Sequence, residues 1–300
     1  MLGKRQLVTI SALTIVFSAL LLAAARPAQA QTESVLYNFN DSNPTSSLTS
    51  HNGKFYGTAN GEVFELSPNG SGAAWIETVL YLFFGGYGGQ PNSDNVIFDS
   101  VGNLYGTSEG GGEYGYGFVF ELSPMAGGIW TATVLYNFCS QKGCPDGANP
   151  VNGLIMDPAG NLYGTTTFGS SIGVFELSPS GGGWTEQVIY EDASYSGLTM
   201  DAAGNIFGTT YRSVFELTPN GSGGWNPTQL HYFPGYDGFN RYSSVNGPLV
   251  FDQAGNLYGT TIAGRGTPYG TVFELSPRKR YGKRRLSTFF ILTRGAPGMA

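Results

Sequence analysis

The stretch GLIMDPAGNLYGTTTFGSSIGVFELSPSGGGWTEQVIY, residues 153–190, decides the fold. It breaks into four short pieces, GLIMD, NLYGTT, GVFELS and TEQVIY. Each is rich in β-branched and aromatic residues and bounded by Gly, Pro, Asn or Ser, the signature of strands joined by turns. No 3.6-residue period runs through it. The same phrases return along the chain. Tyr-Gly-Thr stands at Tyr56, Tyr105, Tyr163 and Tyr258, with Phe207-Gly208-Thr209 as a fifth copy, and Val-Phe-Glu-Leu follows around Phe64, Phe120, Phe175, Phe215 and Phe273. The glycines that open the copies (Gly53, Gly102, Gly160, Gly204, Gly255) are 49, 58, 44 and 51 residues apart. Four strands in a repeat of about 50 residues make the blade of a β-propeller. The sequence predicts an all-β chain with about five four-stranded blades across residues 31–277.

The repeated polar residues read as structure. Asp157-Pro-Ala-Gly-Asn161 recurs at residues 99–103, 201–205 and 252–256, where an Asp can bond its own following backbone and Gly can take positive φ. That is a tight turn, too short and too poor in oxygens for an EF-hand calcium loop. Glu65, Glu121, Glu176, Glu216 and Glu274 occupy one place in every repeat, so they cannot all serve one active site; each is expected to be a hydrogen-bond partner for a neighbouring strand or turn. The ends complement one another. Val35 to Phe39 is a fourth-strand phrase with no first three strands, and the last repeat shows no recognisable fourth. This predicts ring closure by Val35–Phe39 beside Thr271–Ser276, which would bury an open edge.

Residues 1–30 are expected to lie outside the fold. Lys4 and Arg5 precede an apolar run from Leu7 to Ala25, and Ala28-Gln29-Ala30 is a small-x-small cleavage site, together a secretory signal peptide. No other stretch is long and apolar enough to span a bilayer. The expected location is therefore secreted, periplasmic or cell-surface. Between Glu33 and Glu274 lie all 21 acids and only five bases (Lys54, Lys142, Arg212, Arg241, Arg265), a balance of −16. So acidic a surface argues against nucleic acid and anionic membrane as partners. Residues 278–300 form a basic tail outside the repeat pattern, with seven bases and no acid. Cys139 and Cys144 are close in sequence, and in an exported chain such a pair reads as a disulfide. Zinc would need more ligands than the neighbourhood offers, and His51 and His231 are the only histidines.

The phrases Gly160–Thr166, Gly255–Thr261, Gly270–Pro277 and Trp130–Phe138 resemble the bacterial choice-of-anchor tandem-repeat family called GloVer, over about residues 34–277. The insertion Cys139–Pro150 resembles that family too. The resemblance implies an exported repeat protein displayed at, or released from, a bacterial surface, and it implies no particular activity.

In a propeller the loops joining blades share a face with those joining second to third strands, and function collects on such irregular segments. Tyr114, Tyr116, Tyr236, Arg241 and Arg265 are the candidate ligand-binding residues there, as stacking surfaces and planar donors. They suit a neutral or cationic ligand such as an extracellular saccharide or cell-surface component, held without catalysis, and no cofactor is implied. Any ligand is expected on this face and not among the Asp-x-x-Gly-Asn turns. The competing reading is a metal-dependent hydrolase or lactonase with an axial site, for which Asp94, Asn152 and Asn246 are the available oxygen ligands. No nucleophile–base pair accompanies them, so no catalytic residue is assigned.

Overall fold

The computed structural model describes residues 33–40, 42–44, 46–70, 74–83, 95–191, 197–233, 245–262, 270–280 and 283–292. The proposed signal peptide lies outside them. The chain divides into two units, Met1–Asn38 and Phe39–Ala300. In the first, residues 33–38 carry no strand, and Val35 and Leu36 are exposed.

The second unit holds twenty strands in five antiparallel sheets, with no helix among the described residues. Blade 1 is β1 (Thr49–His51), β2 (Lys54–Ala59), β3 (Glu62–Pro68) and β4 (Trp75–Leu82). Blade 2 is β5 (Ile97–Phe98), β6 (Leu104–Ser108), β7 (Phe118–Pro124) and β8 (Trp130–Asn137). Blade 3 is β9 (Ala148–Met156), β10 (Leu162–Phe168), β11 (Gly173–Ser180) and β12 (Gly183–Glu191). Blade 4 is β13 (Thr199–Met200), β14 (Ile206–Thr209), β15 (Ser213–Pro219) and β16 (Trp225–Tyr232). Blade 5 is β17 (Val245–Phe251), β18 (Leu257–Thr261), β19 (Thr271–Arg280) and β20 (Lys283–Leu292). Each sheet runs in simple sequence order, as the blades of a β-propeller do. Buried apolar clusters join blade 1 to 2, 2 to 3, 3 to 4 and 4 to 5.

One contact explains why Tyr-Gly-Thr and Val-Phe-Glu-Leu travel together. The glycine of the first phrase lies directly across the ladder from the phenylalanine of the second: Gly57 from Phe64, Gly106 from Phe120, Gly164 from Phe175, Gly208 from Phe215 and Gly259 from Phe273. The ring folds back over the glycine. A Cβ on Gly106, Gly164 or Gly208 would stand 2.5 Å from the opposing ring's Cζ. The other side of each ring takes an aromatic from the preceding fourth-strand phrase. Phe83 packs on Phe120 at 4.7 Å, Phe138 on Phe175 at 5.0 Å, Tyr190 on Phe215 at 4.5 Å and Phe233 on Phe273 at 4.9 Å. Phe39, at the end of the N-terminal phrase, meets Phe64 in the same way at 5.0 Å.

The turns carry the hydrogen bonding expected of them. Asp157 Oδ1 accepts the backbone N–H groups of Ala159 and Asn161, while Oδ2 accepts Asn161 Nδ2–H and the Tyr163 hydroxyl. Asp99 and Asp252 repeat the pattern with Tyr105 and Tyr258. Burial alone would raise the Asp99 carboxyl, but bonds from Asn103, Val101 and Tyr105 outweigh it and hold it below the usual carboxylate range. Blade 1 has Ser50 in place of the Asp, and there Glu65 accepts both Tyr56 and Lys54. Glu121, Glu176 and Glu274 each accept a nearby serine, so the repeated glutamates are structural in these blades.

The last blade corrects the expectation about closure. The edge beside β19 is taken by β20, from the basic tail, and not by Val35–Phe39. Arg278–Arg280 extend β19, and the apolar run Leu286–Leu292 supplies the partner strand through a short hairpin. Pairing within a hairpin closes a far smaller loop than pairing across the chain.

Gly164→Ala is expected to lower stability by about 2 kcal/mol, the usual cost of forcing an atom into a packed core. Ala at the open turn position Gly181, beside which nothing stands within 4 Å, serves as a control for backbone strain alone. Urea unfolding of both variants checks the difference.

Candidate functional site

Among the described residues, the most elaborated loops lie where blade 2 meets blade 3. Between β6 and β7, Gly111, Gly112, Gly115 and Gly117 all take positive φ. A side chain at Gly117 would strike the carbonyl oxygens of Ser108 and Glu109 and the Pro150 ring, so only glycine permits this close return. The loop is tied to the next blade: Asn149 donates its backbone N–H to Tyr116 O at 2.8 Å and its amide to Glu109 O at 3.2 Å. Tyr114 and Tyr116 are held on this loop with 42% and 41% of their surface exposed. Phe168, closing β10, is 55% exposed. Its ring lies parallel to that of Tyr116, within 1°, at a centroid distance of 6.1 Å.

The Cys139–Pro150 insertion supports this mouth from below. Asp146 is its hub: Oδ2 accepts the Tyr136 hydroxyl at 2.9 Å and the Cys139 N–H at 3.0 Å, with Ser140 N–H at 3.4 Å. Cys139 and Cys144 both sit in the left-handed region, their Cα atoms 4.1 Å apart and their sulfurs at bonding distance. Ser170 N–H reaches back to the carbonyls of Gly143 and Cys144, clamping the turn after Phe168. Thiol titration of the unfolded, unreduced protein is expected to return no free cysteine.

Asp146 faces a second acid. Asp146 Oδ1 and Glu186 Oε1, from β12, are both buried with no hydrogen-bond partner. Burial, and then the Asp146 charge, push the Glu186 carboxyl up from 4.5 to about 8. The same burial, with the Asp146 hydrogen bond and the Glu186 charge, holds the Tyr136 phenol in its neutral form. Because the folded state raises the Glu186 pKa, its contribution to stability is full below about 4.5 and is lost as pH rises through about 8. Glu186→Gln should therefore raise the melting temperature at pH 8 and leave it nearly unchanged at pH 4.5, which a pH series of thermal melts checks.

Of the residues nominated from sequence, Tyr114 and Tyr116 stand together on this loop, whereas Tyr236, Arg241, Arg265 and Asp94 lie outside the described residues. Asn246 falls in β17 opposite Thr260. Asn152 sits in β9 at a φ of 66°, with a buried Nδ2 that has no partner. Among the described residues no three His, Cys, Asp or Glu side chains form a metal-binding group. Phe168 was not singled out from sequence, and its phrase, TTTF, carries no distinct signal, since the copy in blade 5 also runs on into apolar Ile262 and Ala263. Two cavities lie instead among the Asp-x-x-Gly-Asn turns, between blades 3 and 4 and between blades 4 and 5.

Five sequential four-stranded sheets define a repeat β-propeller. The Gloeobacter/Verrucomicrobia repeat matches residues 58–223, more than half of the chain, and the chain belongs to that repeat family. No curated protein matches it in sequence. Among solved structures it is similar to a protein from Lactobacillus plantarum, with a TM-score of 0.51 and 14% identity, covering 82% of this chain and 70% of that one. Virginiamycin B lyase from Staphylococcus aureus gives 0.50 and 15%, covering 82% and 69%. The extracellular domain of a one-component system from B. thetaiotaomicron gives 0.50 and 16%, covering 83% of this chain and 29% of that one. At such identities the likeness is one of fold alone. Among the described residues no helix is long and apolar enough to cross a membrane.

Proposed function

We propose that the protein is an exported, non-catalytic binding propeller whose loop face holds an extracellular saccharide. The observation that carries this reading is the parallel, exposed pair Tyr116 and Phe168, with Tyr114 beside it on a loop fastened to the neighbouring blade. Aromatic rings offer a large contact surface at little entropic cost, and a pre-ordered loop spares the cost of ordering it on binding. The acidic balance of the repeat region favours neutral or cationic ligands, and sugars are neutral. Tyr236, Arg241 and Arg265, on loops of the same class, are proposed to complete the site with one further stacking surface and two planar donors. Export rests on the signal-like residues 1–30 and agrees with a paired Cys139 and Cys144.

A glycan array probed with the protein, with and without calcium, tests the reading. For a saccharide so identified, Tyr116→Ala and Phe168→Ala should each weaken binding about tenfold, a loss of about 1.4 kcal/mol for one stacking ring. Asn161→Ala, in a turn, should instead lower the melting temperature and leave affinity intact. A folded protein that binds no glycan on the array overturns the proposal.

A further inference from the structure

The junctions on the turn side follow one plan, with one departure. In blades 2, 3 and 4 the tryptophan near the start of the fourth strand packs into the groove before it: Trp130 between blades 1 and 2, Trp184 between 2 and 3, Trp225 between 3 and 4. Trp225 shows what this plug does. Its ring meets Tyr163 edge-on at 5.7 Å, and its Nε1–H donates to Glu176 at 3.0 Å. In register each tryptophan stands opposite the proline at the end of Val-Phe-Glu-Leu-Ser/Thr-Pro, as in Pro124 with Trp130, Pro179 with Trp184 and Pro219 with Trp225. In blade 5 the residue opposite Pro277 is Leu286. Among the described residues no indole fills the groove between blades 4 and 5.

Two further changes bear on the same groove, one in its wall and one through Glu216. Phe207 stands where the other four copies have tyrosine, so no phenol reaches the acids there. Thr218 replaces the serine that donates to the repeated glutamate in blades 2, 3 and 5. Glu216 is consequently the one member of its series with no side-chain donor among the described residues, and burial followed by the Asp201 charge raises its carboxyl. The cavity beside it measures about 600 Å³, against about 410 Å³ beside Trp225. Met200, Phe207 and Phe251 give it apolar walls, and Asp201, Glu216 and Asp252 give it negative charge. This is the volume and the mixed lining of a small-molecule site.

We infer that the groove between blades 4 and 5 is a separate ligand site that takes a small aromatic amine. The ring would occupy the place of the missing indole against Phe207 and Phe251, and the ammonium would donate to Glu216. The three carboxylates make the groove repel an anion of the same shape. The site lies among the turns, apart from the loop-face aromatics, and stands or falls independently of the saccharide reading.

Calorimetric titration with tryptamine tests it, with indole-3-propionate as a ring of the same kind and opposite charge. Saturable tryptamine binding, at least tenfold tighter than that of the propionate, is expected. Glu216→Gln should weaken tryptamine about tenfold. Phe207→Tyr, which returns the phenol found in the other blades, should also weaken it while leaving the melting temperature equal or higher. If Glu216→Gln fails to fold, Phe207→Tyr carries the test alone. Tyr116→Ala should leave tryptamine unaffected. No saturable binding, equal binding of the two indoles, or tryptamine affinity unchanged in the folded variants overturns the inference.

Discussion

The propeller depends on a phenylalanine ring lying over a glycine. In each blade the Val-Phe-Glu-Leu ring closes on the Tyr-Gly-Thr glycine across the ladder, and the next available ring surface takes an aromatic from the preceding fourth-strand phrase. The contact does two jobs. It fixes the register of second and third strands, because a one-residue slip would set the ring against a side chain. It also presents a flat apolar surface on the face where the neighbouring blade must dock. Phe64, Phe120, Phe175, Phe215 and Phe273 are all essentially fully buried. Removing one would open a cavity at a blade junction, a change that commonly costs 3–5 kcal/mol.

Around that apolar centre the polar residues of the repeat form a second, interlocking layer. The turn Asp organises its own loop and reaches the tyrosine of the second strand, and that tyrosine faces the glutamate of the third. Blade 1 shows that the layer tolerates exchange of parts, since Glu65 takes over the tyrosine and recruits Lys54 when the Asp is missing. Blade 4 shows the opposite case. With Phe207 in place of tyrosine and Thr218 in place of serine, Glu216 keeps its position and loses its donors.

Much of this architecture was legible because it repeats. A glycine recurring opposite a phenylalanine, and an Asp recurring four residues before an Asn, are local constraints that the chain must restate in every blade. The structural role of the glutamates followed from the same logic. What did not repeat was harder to read. The partner of β19 depends on Leu286–Leu292, a run with no counterpart in other blades, whereas the N-terminal phrase matches the repeat and so draws the expectation. On the loop face, Tyr114 and Tyr116 were visible as aromatics in a glycine-rich loop, but Phe168 belongs to a different blade and joins them only through the packing of two sheets. The groove between blades 4 and 5 was invisible for a related reason. It is defined by three missing side chains spread over two blades, and a loss has no local signature until its neighbours are assembled around it.

The handing of an aromatic ring from one blade to the next has a consequence for how such chains change over generations. Each described junction uses a ring-on-ring contact of this kind, with Tyr190 as the donor between blades 3 and 4, and Phe39 meets blade 1 just as Phe83 meets blade 2. A duplication or loss of one whole repeat would therefore rejoin two aromatic surfaces of the same kind. Blade number could change in this way with a ring-on-ring contact kept at each new junction. The unequal spacings of 49, 58, 44 and 51 residues show that the repeats differ in loop length while keeping this contact.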